Sequence, residues 1–187
     1  MSSSPWHIRQ AAHALHVGGV IAYPTETVFG LGCNPLNLQA VEKLLTLKQR
    51  PVEKGLILIG ANLEQLMFYI DVTDLSLLEK LARPTERPTT WIAPARPFTP
   101  RWLTGKHNSI AVRITSHPAA NALCEQFGGA IVSTSANPGG LAPARSTLKV
   151  RSYFDEQIDY LLRGNTPIEA NPSEIRDLIT DKVLRSN

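Results

Sequence analysis

Ile8, Ala11, Ala12 and Leu15 recur at helical spacing, and Gly18 and Gly19 end the helix they predict. Residues 20–23 then read as a strand broken by Pro24. The segment that follows, 25–32 (TETVFGLG), places two threonines and a glutamate where that strand ends. Asn34 before Pro35 reads as a helix cap followed by proline at the first helical position. Val41, Leu44, Leu45 and Lys48 fall at i, i+3, i+4 and i+7, so a lysine closes the apolar stripe of this helix. Such a lysine either snorkels to solvent or points at a ligand beyond the helix end. Arg50 precedes Pro51, which disfavours helical geometry and extends the chain there. Lys48 and Arg50 can then face one anion, or form a solvated basic helix end.

Residues 56–59 are a continuous apolar strand ended by Gly60, and two helical stretches follow, about 63–69 and 75–82. The stretch 83–101 is too rich in proline to be one helix or one central strand, and 101–106 (RWLTGK) reads as a turn. Residues 109–115 (SIAVRIT) alternate cleanly, setting Ile110, Val112 and Ile114 on one face and Ser109, Ala111 and Arg113 on the other. Small Ala111 leaves space between Ser109 and Arg113. An arginine there suits a bidentate carboxylate or phosphate contact, or a solvated sheet face. A helix over 118–127 leads into the apolar run Ala130, Ile131, Val132, a buried strand that empties into Ser133, Thr134, Ser135, Ala136 and Asn137 before Pro138-Gly139-Gly140. Ligands of α/β sheets sit beyond such strand ends. An ST-turn that satisfies only its own backbone is the alternative. Residues 148–154 read as a helix, 160–162 as a short strand, and 173–180 with 183–185 as two strands joined around Asp181-Lys182. Strands and helices mostly alternate, which predicts an α/β fold with a mixed sheet and flanking helices.

Composition narrows the class. With 187 residues, 43% of them hydrophobic and 19% charged, the chain suits one globular domain over 1–187. No apolar run approaches membrane-spanning length, and residues 1–6 lack the apolar segment of a signal peptide, which points to a cytoplasmic address. Cys33 and Cys124 are too few for a tetrahedral metal site and read as small core residues. A net charge of +3 permits a polyanionic partner without demanding one.

Familiar catalytic signatures are missing: no phosphate-binding G-x-x-x-x-G-K-[ST], no G-x-G-x-x-G, no H-E-x-x-H and no G-x-S-x-G. The histidines do not cluster, and His117 before Pro118 reads as a cap. What remains is a set of cations and hydroxyls without an obvious nucleophile or base. That inventory suits nucleotidyl or phosphoryl transfer achieved by positioning and charge neutralisation, and it also suits binding of RNA phosphates.

Five segments carry a resemblance: PTETVFGLG at 24–32, KQRP at 48–51, SIAVR at 109–113, STSAN at 133–137 and PSEIRD at 172–177. Their order, and the pairing of Lys48-Gln49-Arg50 with Ser135-Ala136-Asn137, resemble the YrdC-like family over nearly the whole chain. The short bacterial members, which lack the extra C-terminal domain of the longer ones, are the best match. The resemblance implies a twisted sheet around a basic concave cleft and a threonylcarbamoyl-AMP synthase activity. L-threonine takes up carbon dioxide or bicarbonate, the carbamate attacks the α-phosphate of ATP, and pyrophosphate leaves. Partner proteins then move the threonylcarbamoyl group to a tRNA adenosine beside the anticodon.

By the same resemblance Lys48 and Arg50 are the catalytic phosphate-binding pair, acting with Mg²⁺ carried by ATP. Lys54, Ser109, Ser135, Asn137 and Arg185 match further ATP contacts, while Thr27, Arg113, Ser133 and Ser173 match threonine contacts. No organic cofactor is implied. Departures are visible too: only Pro88 and Thr90 remain of a Trp-Pro-Gly-Pro-x-Thr turn near Arg87, and Ile59 replaces a histidine of longer members, so no role passes to it. The runner-up reading is a non-catalytic module that uses the same basic cleft for double-stranded RNA or tRNA. Aromatic residues are only 6% and are not interleaved with cations, which argues against single-strand stacking.

Overall fold

The computed structural model describes residues 3–166 and 173–185, so Pro172 of the fifth resembling segment lies outside the described residues. The strands are β1 Ile21–Pro24, β2 Phe29–Gly32, β3 Ile57–Gly60, β4 Thr89–Pro94, β5 Ser109–Ile114, β6 Ile131–Ser135, β7 Tyr160–Leu161, β8 Glu174–Asp177 and β9 Val183–Arg185. Among the described residues they form one mixed sheet in the order β7-β1-β2-β6-β3-β5-β4-β8-β9. The β7/β1, β3/β5 and β4/β8 ladders are parallel and the others antiparallel. The helices are α1 Pro5–His16, α2 Leu38–Lys48, α3 Leu63–Met67, α4 Leu75–Ala82, α5 Arg101–Thr104, α6 Pro118–Phe127 and α7 Thr147–Phe154. None of the described helices is long and apolar enough to cross a membrane.

Side-chain alternation along the central strands builds two cores, one on each face of the sheet. Ile21 and Tyr23 of β1, Ile59 of β3 and Ile131 of β6 pack against α1 and α6 through Ala11, Leu15, Ala120 and Leu123. Their neighbours Ala22, Leu58 and Val132, with Ile110 and Val112 of β5, face the other way, onto Val41 and Leu44 of α2, Leu81 of α4 and Phe154 of α7. The α1/α6 cover does not extend along the whole face. One register row beyond Ile131 and Ile59, Ser133 pairs with Ile57, Ile57 with Ala111 and Ala111 with Ile92. There small Ser133 and Ala111 alternate with Ile57 and Ile92, and the face is bare between them.

Several sequence expectations need correction. The cap of α2 is Asn37, whose Oδ1 accepts from the Ala40 N–H at 3.0 Å, while Asn34 accepts from the Leu36 N–H and closes only the turn before it. FGLG is strand β2; its two glycines lower strand propensity but are demanded by packing. A Cβ on Gly32 would lie 2.4 Å from the Val132 carbonyl oxygen and 2.8 Å from the Tyr23 ring. RWLTGK contains the short helix α5 rather than a plain turn. The proline-rich stretch is, as read, no single element: it holds β4 in the interior of the sheet, with Pro88 before it and Pro94 as its last residue, where the missing N–H is tolerated. β6 runs on to Ser135, so the hydroxyl-bearing residues belong to the strand end as much as to the loop. Both cysteines are buried and unpaired as expected, and burial pushes both thiols up, Cys33 to about 12.

Gly32 sits where β2 joins β6 and so links the two halves of the sheet. Gly32→Ala is expected to lower the thermal midpoint by roughly 2–12 °C, as overpacking of about 1–3 kcal/mol does in a chain of this size. Circular-dichroism melting checks it; an unchanged midpoint would mean that β6 shifts without cost.

Candidate active site

The bare end of the sheet face is the floor of a cavity of about 600 Å³, a volume typical of small-molecule sites. Ser133 and Ser135 of β6, Ile57 of β3, Ser109, Ala111 and Arg113 of β5 and Ile92 of β4 lie along it. The β1–β2 loop supplies Thr25 and Thr27, the segment after α2 supplies Arg50 and Lys54, and the C-terminal segment supplies Ser173, just before β8, and Arg185 of β9. The sequence reading that Ala111 opens space between Ser109 and Arg113 is therefore met. Most of the residues expected to form a site are brought together; Lys48 and Asn137 stand behind the wall.

Lys48 is buried, 6% exposed, at the last turn of α2. Its ammonium donates to the Ser135 and Asn137 carbonyl oxygens, the latter at 2.6 Å, and to Asn137 Oδ1 at 3.0 Å. A fourth, longer contact reaches Ser135 Oγ at 3.4 Å, so all three ammonium protons are engaged. The Asn137 amide nitrogen in turn donates to the Pro138 and Leu141 carbonyls, at 3.0 and 2.7 Å. Lysine and asparagine together therefore fix the loop after β6 in place. Burial, and then the nearby charge of Arg50, pull the Lys48 ammonium down to about 8. Gln49 adopts a left-handed conformation with φ of 50°, which turns Arg50 away from Lys48 and into the cavity wall. Arg50 Nη2 and Nε donate to the Gly55 carbonyl oxygen at 2.9 and 3.3 Å. Gly55 itself needs its φ of 63°, and a Cβ there would meet the Thr104 carbonyl at 3.0 Å.

Arg113 is 6% exposed and lies 3.7 Å from a carboxylate oxygen of Glu26. Glu26 did not figure in the sequence-derived site, although a lone carboxylate among hydroxyls at the end of a buried strand was a signal for it. Its other oxygen, Oε1, accepts from the Thr115 hydroxyl at 2.7 Å and the Ser116 N–H at 2.8 Å. Burial opposes ionisation of Glu26, but Arg113 and these donors outweigh it and hold the carboxyl below the usual range. In the same loop, the Thr25 hydroxyl donates to the Val28 carbonyl at 2.7 Å and receives the Thr27 N–H at 3.3 Å, which fixes the threonines at the cavity edge.

On the opposite rim, Arg185 Nη2 donates to the Ser173 carbonyl at 2.7 Å, and the Ser173 and Thr90 hydroxyls are 3.1 Å apart. Burial, and then the charge of Arg113, lower the Arg185 guanidinium from its ordinary value. Like charges thus converge: Arg50, Lys54, Arg113 and Arg185 line the cavity, and no carboxylate does among the described residues. Such an interior attracts anions. Thr104 is a further unforeseen member, with a buried hydroxyl that has no partner. Ile59 is wholly buried in the α1/α6 core. Exposed Arg87 stands outside the cavity lining, its carbonyl accepting from the Thr85 and Thr89 hydroxyls in place of a tight glycine turn.

Comparison with known proteins gives a consistent picture. A family model described as Sua5/YciO/YrdC, telomere recombination, matches residues 13–186. A protein of Cellvibrio japonicus named threonylcarbamoyl-AMP synthase is 51% identical over 178 residues, 95% of this chain and 94% of that one. Its namesake in Nitrosococcus oceani is 48% identical over 185 residues, covering 99% and 100% of the two chains. Among solved structures, P. abyssi Sua5 complexed with L-threonine superposes with a TM-score of 0.87 at 33% identity, over 99% of this chain and 55% of that one. This chain therefore spans about half the length of that protein. E. coli YciO gives a TM-score of 0.80 at 28% identity, over 95% of this chain and 87% of that one. The family model covers residues 13–186, the relatives and solved structures agree with it, and the chain belongs to the Sua5/YciO/YrdC family.

Proposed function

We infer that this protein is a threonylcarbamoyl-AMP synthase, which condenses L-threonine, carbon dioxide or bicarbonate, and ATP into threonylcarbamoyl-adenylate and pyrophosphate. The observation that carries this reading is the cavity itself: four cations and several hydroxyls around a bare sheet face, in a chain matched end to end by relatives of that name. The reactants bring a triphosphate and two carboxylates, counting the carbamate, and a site without cations would repel them. Arg113 takes the threonine carboxylate as a fork, with Thr27, Ser133 and Ser173 around the rest of the amino acid. Ser109, Ser135, Lys54 and Arg185 contact ATP, which enters with Mg²⁺ on its phosphates.

The amine of threonine adds to carbon dioxide, giving a carbamate and a proton. A carbamate oxygen then attacks the α-phosphorus, and the bond to the bridging oxygen breaks as pyrophosphate departs. Arg50 neutralises charge on the leaving group, and Lys48 serves the step by holding Ser135 and Asn137 still. The adenylate passes to transfer proteins that modify a tRNA adenosine beside the anticodon, in the cytoplasm. The RNA-module reading is not favoured: the cations converge inside a cavity of small-molecule size rather than along a duplex-length surface.

Incubation with ATP, L-threonine, bicarbonate and Mg²⁺ should release pyrophosphate only when threonine is present; folded protein that releases none would sink this reading. Arg113→Ala should raise the KM for threonine roughly 10- to 100-fold and that for ATP less than about threefold, as loss of a charged hydrogen-bonded clamp does. Arg50→Ala should do the reverse, and equal effects on both substrates would contradict this division of the cavity.

Lys48 also gives the enzyme a pH signature. With its ammonium at about 8, kcat/KM for ATP at saturating threonine should fall above that pH, because the neutral amine loses a proton and the charge that hold it to the loop acceptors. Stability moves the other way. The unfolded lysine binds more protons between about 8 and its ordinary value, so this group adds stability as pH rises through that window. Lys48→Met should lose the descending limb along with most activity; a wild-type profile flat to pH 9 would argue against it.

A further inference from the structure

Glu26 and Arg113 are both more than nine-tenths buried, with side chains 9% and 8% exposed. Their contact is unusual in what it leaves undone. Arg113 Nη2 lies 3.7 Å from Glu26 Oε2, near enough for charge neutralisation but too far for a hydrogen bond. Glu26 Oε2 and Arg113 Nε are both buried without a hydrogen-bond partner. The other carboxylate oxygen is fully used: Thr115 Oγ1 donates at 2.7 Å, the Ser116 N–H at 2.8 Å and the His117 N–H at 3.3 Å. All three donors lie on the turn that carries β5 into α6. Glu26 belongs to the β1–β2 loop, between Thr25 and Thr27, which both line the cavity while Glu26 does not. One side chain therefore ties the loop bearing Thr27 to the strand end bearing Arg113, and sets a negative charge beside one end of the guanidinium without hydrogen-bonding to it.

We propose that Glu26 is a positioning residue for the amino-acid substrate, acting through Arg113 and Thr27 rather than touching the ligand. This rests on the reading of the cavity as a threonine and ATP site. Arg113 stands near another cation, Arg185, and its like charge would push an unrestrained guanidinium aside. A carboxylate clamped by three donors is a fixed counter-charge, and a fork recognises a carboxylate only when its planar donors stay in place. Small displacements of such a clamp cost far more than the contact distances suggest. Phosphate groups held by Arg50 and Lys54 do not depend on it.

Glu26→Gln tests this, since it keeps the shape and the acceptor oxygen but removes the charge and turns an amide N–H₂ toward Arg113. Steady-state pyrophosphate release should show the threonine KM raised about tenfold or more and the ATP KM changed less than about threefold. Calorimetric titration with L-threonine should show a matching loss of affinity. Glu26→Asp, which restores the charge but shortens the reach, should recover part of it. Should Glu26→Gln fail to fold, Thr115→Val removes one of the three donors and should raise the threonine KM about threefold, again sparing ATP. An unchanged threonine KM and affinity in an active Glu26→Gln enzyme would overturn the proposal alone, as would equal rises for both substrates. A wild-type enzyme that forms no threonine-dependent pyrophosphate would overturn the cavity reading with it.

Discussion

The site depends on one face of the sheet being covered at one end and bare at the other. Tyr23, Ile59 and Ile131 bury α1 and α6, and one register row on, small Ser133 and Ala111 alternate with Ile57 and Ile92, and that row lines the cavity. Burying another helix there would leave hydroxyls and Arg113 without water or partners, which is costly. The fold therefore leaves a cavity where small Ser133 and Ala111 interrupt the branched apolar side chains of the row. Gly32 is part of the same constraint, because β2 reaches β6 only without a side chain at that position.

Bare surface alone would not assemble cations at close quarters. Several are steadied from behind by acceptors the protein supplies: Lys48 by the loop carbonyls of Ser135 and Asn137, Arg50 by the Gly55 carbonyl, Arg113 by Glu26, and Arg185 by the Ser173 carbonyl. Three of these four supports are backbone dipoles, which do not cancel the charge. Only Arg113 has a carboxylate behind it. The cavity is thus left electron-poor and pre-organised for anions, the condition under which fixed charges contribute most to a reaction that builds negative charge on phosphate.

Much of this was legible in the sequence. The alternation in SIAVRIT placed Ser109, Ala111 and Arg113 on one face, and the stripe ending at Lys48 put that lysine at a helix end near the site. Two things were not. Periodicity cannot see that Gln49 turns left-handed, so the sequence kept open a Lys48 and Arg50 that face one anion, whereas the chain sends the first behind the loop and the second into the wall. FGLG could not be read as a strand, because its glycines are dictated by Tyr23 and Val132, which are distant neighbours in the fold. Glu26 escaped for a related reason: its importance lies in donors from residues 115–117, about 90 positions away.

One bare sheet face is proposed to hold both substrates, with the amino acid at Arg113 and the triphosphate at Arg50 and Lys54. A crystal structure with L-threonine and a non-hydrolysable ATP analogue bound together tests it most directly. The threonine carboxylate is expected on the Arg113 guanidinium, phosphate oxygens on Arg50 and Lys54, and Lys48 still bonded to the loop. Threonine or triphosphate bound outside this cavity, or the triphosphate seated on Arg113, would contradict it.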